Sequence, residues 1–275
     1  MIAKTRAMSK FTRRDFLKSM GWGAVAATGS FAYGDLGSRA VEIVERDLSL
    51  PRWTADGFRI AVMADPHMDT PQATARTQSA LLDVIERKPD VIAWVGDFLT
   101  SAAPQNLENV RQTLFLQNDH SIPSIGILGN HDYWAGYLPL VLRALTGSRM
   151  RLLRNESLEV GGVRIAGVDD ALMKKHRPDL VKGDKNLIAL LHEPDFVKDL
   201  RAGPSLLLAG HSHGGQICLP GGISVHTPRG ARKYIAGFYE DGPIPVYVSR
   251  GIGTTGPDWR LFCPPEATIL TLRGS

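Results

Sequence analysis

Five short apolar segments of this 275-residue chain are each followed, directly or after one glycine, by histidine, aspartate or asparagine. Short apolar segments bounded by glycine or polar residues are typical of buried β-strands. Amphipathic stretches separate the first three segments, and this order predicts an α/β layered fold with largely parallel strands. The segments and the residues that follow them are FRIAVMA with Asp65-Pro66-His67, VIAWV with Gly96-Asp97, SIGIL with Gly129-Asn130-His131-Asp132, NLIALL with His192-Glu193, and SLLLA with Gly210-His211-Ser212-His213.

The remaining pattern fits a single domain at residues 57–275, preceded by a linker and leading strand at residues 35–56. Predicted helices cover residues 72–87, 106–117 and 137–145, with an early interruption at Pro139 in the last one. A hairpin surrounds Gly161-Gly162, and the glycine and proline turns of residues 233–274 predict a β-meander. Two sheets that face each other, with helices outside, accommodate both halves.

The five strand ends are expected to meet. In open α/β sheets, ligands bind outside the carboxyl ends of the strands, so ends that span about 150 residues of sequence can converge on one rim. Residues two apart in an extended chain point the same way, so Asp65 and His67, like His211 and His213, each offer two side chains to one region. Gly129 and Gly210 precede ligands where the backbone must turn sharply.

The side-chain types indicate a metal site. Aspartate, asparagine and histidine without cysteine suit divalent ions such as Mn²⁺, Fe or Zn²⁺. Seven such side chains exceed the three protein ligands of one catalytic zinc, whereas a binuclear site with one bridging carboxylate uses them all. A single histidine or aspartate is more often a hydrogen-bonded polar residue or a cap. Five of the eight histidines lie in these motifs, however, and only His120, His176 and His226 are interpreted as ordinary surface or loop residues.

The order of these motifs resembles the calcineurin-like metallophosphoesterase superfamily from about Phe58 to the C-terminus. GHSHGGQICLPGG and VSRGIGTTGPDWRLFCPPEATILTL further resemble its bacterial branch, whose members often carry twin-arginine signals or N-terminal anchors. Some relatives in that branch hydrolyse the pyrophosphate of UDP-2,3-diacylglucosamine. The resemblance implies a four-layer αββα sandwich of two mixed β-sheets flanked by helices.

The resemblance also implies two divalent metal ions as cofactors. The ligands of these ions would be Asp65, His67 and His213 on one ion and Asn130, His192 and His211 on the other, with Asp97 between the two ions. His131 would protonate the leaving oxygen or stabilise charge on phosphate, and Asp132 would orient His131. Two dications against two carboxylates leave a net positive charge, which attracts a phosphoryl group and lowers the pKa of a bound water.

The expected activity is hydrolysis of a phosphodiester, phosphomonoester or pyrophosphate bond by a metal-bridging hydroxide. The expected substrate is an envelope or lipid-linked compound such as UDP-2,3-diacylglucosamine. A small-nucleotide phosphodiesterase is the alternative within the same chemistry, and a non-catalytic metal-bound scaffold is the alternative from another class. Trp259, Leu261 and Phe262 could form an apolar rim for an acyl chain, although packing against the sheet is the favoured interpretation.

The N-terminus has the layout of an export signal, at residues 1–34. A basic stretch precedes a weakly apolar run from Ser19 to Tyr33, which is shorter than the about 20 residues of a membrane span. Arg13 and Arg14 resemble the pair of a twin-arginine signal, so the translocation machinery is an expected partner. Cleavage after Ala32 would give a periplasmic protein, and an uncleaved anchor would hold it at the outer face of the inner membrane, which leaves membrane-surface association open. A basic disordered tail is the alternative.

Charge and cysteine content limit the other partners. The net charge is +4, but residues 1–34 contribute six basic residues and one acidic residue, so the remainder carries −1. The body of the protein therefore has no excess of positive charge that would attract a nucleic acid, and no nucleic acid is expected as a partner. Cys218 and Cys263 are too few for a disulfide framework, and buried free thiols are expected, with one disulfide as the alternative.

Overall fold

The computed structural model of the protein describes residues 40–181, 185–200 and 203–275. The predicted export signal at residues 1–34 lies outside these ranges. Two six-stranded sheets form the centre of the described chain. Within the described ranges, no helix combines the length and hydropathy needed to cross a bilayer.

The first sheet contains the first three strand-end motifs. Its strands are β1 (Glu42–Leu50), β2 (Phe58–Met63), β3 (Val91–Val95), β4 (Ser124–Ile127), β5 (Arg151–Leu152) and β14 (Glu266–Gly274). Their spatial order is β1-β14-β2-β3-β4-β5. β2 to β5 are parallel, β14 runs antiparallel to β2, and β1 is parallel to β14 along its whole length.

The second sheet contains the last two motifs. Its strands are β6 (Glu156–Val160), β7 (Val163–Gly167), β8 (Leu187–Leu190), β9 (Leu206–Ala209), β12 (Gly237–Tyr239) and β13 (Val246–Val248). Their spatial order is β12-β13-β9-β8-β7-β6, and the four central strands are parallel. β10 (Cys218–Leu219) and β11 (Ile223–Ser224) form a separate short hairpin.

The helices follow the sequence expectation closely. They are α1 (Pro71–Glu86), α2 (Pro104–Phe115), α3 (Asn130–Trp134) and α4 (Leu138–Thr146). Thr70 caps α1, because its side chain accepts a hydrogen bond from the amide of Ala73 at 3.1 Å. The expected interruption at Pro139 is wrong: this proline lies in the first turn of α4, where its missing N–H costs nothing.

Successive side chains along each strand point alternately to the two faces of its sheet, and this alternation separates the hydrophobic core into layers. Val62, Val95 and Ile188 face the space between the two sheets, while Met63, Trp94 and the helices form a second cluster outside the first sheet. A third cluster outside the second sheet is covered by short 3₁₀ segments such as Pro194–Asp199. The predicted fold class, two mixed sheets flanked by helices, is confirmed.

The predicted β-meander at the end of the chain is wrong. β12 and β13 are antiparallel, but β13 pairs in parallel with β9, and β14 crosses to the other sheet and inserts between β1 and β2. β14 is buried along most of its length and needs neighbours on both sides, which the interior of the first sheet supplies. Cys218 and Cys263 are buried free thiols, as expected.

Truncation of a side chain between the sheets tests this architecture. Ile188 is fully buried, and Ile188→Ala should lower the free energy of unfolding by about 2–5 kcal/mol, because it leaves a cavity between two rigid sheets. Leu82→Ala on the exposed face of α1 should change it by less than about 0.5 kcal/mol. Denaturant unfolding measures both, and equal effects would contradict the layer assignment.

Candidate metal centre

All five strand-end motifs meet at one edge of the sandwich. The carboxyl ends of β2, β3 and β4 come from the first sheet, and those of β8 and β9 come from the second. Six of the predicted ligands form two groups whose ligand atoms lie within 4.8 Å of one another: Asp65, His67 and His213 in the first group, and Asp97, His192 and His211 in the second. Each group contains residues from both sheets, and every member is buried.

The first group forms where β2 and β9 end. Nε2 of His213 lies 3.8 Å from Oδ1 of Asp65, and the rings of His67 and His213 are stacked with centroids 5.1 Å apart. Both oxygens of Asp65 also accept a hydrogen bond from the backbone amide of His211 at 3.0 Å. The backbone that follows β9 therefore fixes the carboxylate that follows β2.

The second group forms around His192. Its Nε2 lies 3.0 Å from Oδ2 of Asp97, and its ring contacts that of His211 edge-on, with centroids 5.0 Å apart. Asn130 begins α3 beside this group, since the next backbone amide, that of His131, donates to Oδ1 of Asp97 at 2.8 Å.

Asp97 lies between the two groups. Its Oδ2 is 3.0 Å from Nε2 of His192 and 3.7 Å from Nε2 of His67. Oδ1 of Asp65 is likewise 3.7 Å from Nε2 of His192. The two groups are thus contiguous, and a single carboxylate reaches both.

The backbone at the ligands is left-handed rather than extended. The φ angles are 50° at Asp65, 42° at His67, 56° at Asp97, 69° at His211 and 51° at His213. The assumption that these motifs are extended, with side chains two residues apart on the same side, is therefore wrong. Asp65 and His67 share a group, whereas the bend at Ser212 directs its two neighbours into different groups. Strained backbone of this kind is concentrated at functional sites.

Two glycines allow carboxylates to approach the backbone. A Cβ at Gly129 would overlap Oδ1 of Asp97, and a Cβ at Gly210 would lie 2.5 Å from Oδ2 of Asp65. Neither glycine has a positive φ, so close approach, and not the expected sharp turn, requires glycine at these two positions.

In three of the histidines, the ring nitrogen that faces away from the ligand groups is hydrogen-bonded to a backbone carbonyl or a hydroxyl group. Nδ1 of His192 lies 2.7 Å from the carbonyl oxygen of Val95, and Nε2 of His211 lies 2.9 Å from that of Arg229. Because a carbonyl only accepts, both of these nitrogens carry a proton, and the opposite nitrogen of each ring is the one that can bind a metal ion. Nδ1 of His67 similarly pairs with the hydroxyl of Thr100 at 2.9 Å.

Two buried atoms of the predicted ligands have no hydrogen bond of acceptable geometry, although one of them lies 3.0 Å from Oδ2 of Asp97. They are Nε2 of His192 and Oδ1 of Asn130. Buried polar atoms are almost always paired, so two orphaned acceptors among the predicted ligands need an explanation. A bound cation satisfies both, and the N and O donor set fits Mn²⁺, Fe or Zn²⁺. The residues therefore fit the metal ions that the sequence predicts.

Burial and mutual charge set the protonation of the groups. Burial raises the pKa of Asp65 to about 7, and His192 opposes this shift. Burial lowers the pKa of His67 to about 3 and that of His213 well below its usual value. Burial would also raise the pKa of Asp97, but His192 and the other histidines outweigh it and hold the pKa below its usual value. Burial alone would lower the pKa of His192, but Asp97 and Asp65 raise it well above its usual value. An ionised Asp97 and neutral imidazoles are the forms that bind metals, so an ion bound at His192 would displace a proton from its ring.

Asp132 does not orient His131. Its two carboxylate oxygens accept backbone amides from Asp97 at 2.9 Å, Phe98 at 2.8 Å and Gly129 at 2.9 Å. The expectation for this residue is wrong because the carboxylate is fully buried beneath the Asp97 loop and positions that loop instead. The ring of His131 lies against those of His67 and Trp134, with centroids 5.0 and 5.3 Å away.

Two residues of the loop after β13 belong to this edge and were not predicted. Oγ1 of Thr255 lies 3.0 Å from Nε2 of His213 and 3.4 Å from Nε2 of His67. Arg260 is buried, and its guanidinium donates to backbone carbonyls, including those of His213 and Gly253. Burial lowers the pKa of Arg260 to about 10, which leaves it a cation at neutral pH.

A cleft of about 410 Å³ opens onto the two groups. Asp97, His131 and the two histidines after β9 form its floor. Its wall is largely apolar and includes Ile217, Val225, Pro228 and Pro257. The cleft thus offers a polar floor for an anionic group and an apolar side for the rest of a ligand.

The family model for calcineurin-like phosphoesterases matches residues 58–215. The chain belongs to this family. It is therefore an enzyme that hydrolyses phosphoric esters, and the clustered ligand types indicate divalent metal as its cofactor.

Relatives of this phosphoesterase match it over nearly its full length. YkuE of Bacillus subtilis strain 168, named an uncharacterized metallophosphoesterase, is 32% identical over 98% of this chain and 100% of its own. YaeI of Escherichia coli K12, named a phosphodiesterase, is 27% identical over 95% of this chain and 99% of its own. A crystal structure of Pseudomonas putida nuclease MPE aligns at 20% identity over 74% of this chain and 78% of that one, with a TM-score of 0.40.

Metal counting tests the two groups in this phosphoesterase. His211→Ala and His213→Ala each remove a ligand from a different group, so each variant should lose about one of two ions and retain the other. His120→Ala, whose side chain lies outside both groups, should retain the wild-type content. Elemental analysis of purified protein measures the ratio. Loss of all metal in either variant, or of none in both, would contradict the division into two groups.

Proposed function

We propose that the chain is a two-metal phosphodiesterase that acts on an envelope or lipid-linked substrate such as UDP-2,3-diacylglucosamine. The observation that carries the proposal is the pair of contiguous ligand groups joined by Asp97 beneath one cleft. Asn130 would complete the second group, since its Oδ1 is one of the two orphaned acceptors.

The residues would divide the chemistry between them. Two bound ions of Mn²⁺, Fe or Zn²⁺ would supply an activated water and positive charge for the phosphoryl oxygens. His131 lies on the floor of the cleft, in reach of a group bound there, and would give a proton to the departing oxygen. Asp132 would keep the Asp97 loop in place, and Arg260 would add a buried positive charge behind His213.

Two observations support the proposed type of bond and class of substrate. A relative named a phosphodiesterase, aligned over almost the entire chain, supports a phosphodiester over a monoester. The apolar wall at Ile217 and Val225 supports a substrate with an apolar part beside its phosphate. Export by the twin-arginine route stays a prediction of the N-terminal sequence, and it would place the enzyme where envelope lipids are found.

Removal of the shared carboxylate tests the chemistry. Asp97→Asn should lower hydrolysis of bis(p-nitrophenyl) phosphate by at least about a hundredfold, because a neutral amide cannot join two cations. Glu86→Gln at the end of α1, far from the cleft, should leave the rate unchanged. Steady-state hydrolysis with metal-loaded proteins measures both. An active Asp97→Asn protein would contradict the proposal.

The same assay, with a panel of substrates, tests the substrate class. Metal-loaded wild type is compared on a phosphomonoester, a cyclic nucleotide, a glycerophosphodiester and UDP-2,3-diacylglucosamine, with Asp97→Asn as the blank. The lipid-linked compound should give the highest kcat/KM. Equal and low values on all four would refute the lipid part of the proposal, and a preference for the nucleotide would favour the small-nucleotide alternative.

A further inference from the structure

The β10–β11 hairpin presents a continuous apolar face that begins at the cleft. Leu219 and Ile223 are directly paired across the hairpin, and Ile217 and Val225 precede and follow them on the same face. Ile217 and Val225 line the cleft, whereas Leu219 and Ile223 lie beyond it toward the Gly221-Gly222 turn. Leu219, Ile223 and Val225 are 54%, 62% and 64% exposed. The apolar face therefore leads from the metal centre out to solvent.

An exposed aromatic side chain also adjoins the cleft at His131. Trp134 contacts the ring of His131 and is 56% exposed, and Tyr137 just beyond it is 64% exposed. Of the nine large hydrophobic side chains exposed in the described ranges, Leu219, Ile223 and Val225 belong to the hairpin, and Trp134 lies against His131 on the floor of the cleft. Contiguous exposed apolar surface of this kind marks an interaction site.

Positive charge accompanies the hairpin rim. Arg229, Arg232 and Lys233 follow the hairpin and are exposed. In the described part of the chain, the one carboxylate bonded to this segment is that of Asp195, which accepts the backbone amides of Arg232 and Lys233, so cations outnumber carboxylates here. Arg229 comes directly after Pro228, which lines the cleft, so the charges continue the same rim. Apolar side chains beside exposed cations, with Trp and Tyr nearby, are the composition of surfaces that sit at an anionic lipid–water interface.

The chain enters the domain at this same edge. β1 is parallel to β14, and Glu42 at its start pairs with Glu266, next to the loop that carries Thr255 and Arg260. Arg250 of this loop also bonds the carboxylate of Glu42 at 2.8 Å. The N-terminal segment, with its predicted anchor or signal, thus joins the protein on the side where the cleft opens.

We propose that the β10–β11 hairpin and the cationic segment at residues 229–233 dock on an anionic phospholipid bilayer, with the metal cleft facing the headgroups. A second copy of this chain fits less well, because a symmetric contact would bring the three cations of one copy against those of the other. The substrate alone does not account for the surface, since Leu219 and Ile223 lie outside the cleft. Docking itself does not depend on the proposed function. Only the consequence that docking gives access to lipid-linked phosphoesters rests on it.

Vesicle co-sedimentation of the full chain tests the docking. Leu219→Ser/Ile223→Ser should lower partition onto equimolar phosphatidylglycerol and phosphatidylcholine vesicles by about tenfold or more, because two exposed aliphatic side chains leave the acyl region. Arg232→Gln/Lys233→Gln should lower it by about fivefold or more on these vesicles, with no effect on pure phosphatidylcholine. Leu82→Ser/Phe115→Ser removes two equally exposed hydrophobic residues from α1 and α2 and should bind as wild type.

The controls separate docking from chemistry and from the N-terminus. Asp97→Asn should bind vesicles as wild type, so that failure of docking and failure of hydrolysis are observed independently. All variants keep residues 1–39, and equal partition of wild type and the hairpin variant would show that the hairpin does not dock and overturn the proposal. Thermal unfolding verifies that the hairpin variant is folded. A fall in its oligomeric mass without any change in vesicle binding would assign the hairpin to a contact between copies and would equally overturn the proposal.

Discussion

The burial of two carboxylates among histidines at one edge is the constraint on which the rest of the structure depends. Moving Asp65 and Asp97 out of water costs free energy that hydrogen bonds and opposite charges must offset. Backbone amides of His211 and His131 supply part of this, yet Nε2 of His192 and Oδ1 of Asn130 have no hydrogen bond of acceptable geometry. Cations bound at the two groups would offset the carboxylate charge and satisfy both of these atoms.

The fold follows from the need to bring these ligands together. Two largely parallel sheets place their carboxyl ends at one edge, so loops distant in sequence meet there. Close approach requires glycine at 129 and 210, and left-handed backbone aims the side chains inward. The inner core between the sheets keeps that geometry rigid, while the exposed rims of the cleft remain available for recognition.

Sequence alone predicted the layers and the meeting of the strand ends, because apolar periodicity and residue type are local signals. It missed how the last strands join the sheets. β13 pairs directly with β9, so the loop after it brings Thr255 and Arg260 to the metal groups, and β14 crosses to the first sheet. Local backbone was equally invisible: extended spacing suggested common directions for His211 and His213, whereas the bend at Ser212 separates them. The family resemblance assigned Asp132 to His131, but its buried carboxylate accepts backbone amides instead.

The central claim is that the two contiguous groups hold two ions and share Asp97. Anomalous diffraction from crystals of the zinc-loaded protein tests it most directly. The account predicts two peaks about 3.5–4 Å apart, one in each group, with an oxygen of Asp97 about 2.0–2.2 Å from each. A single peak, or two peaks of which one is not in contact with Asp97, would contradict it.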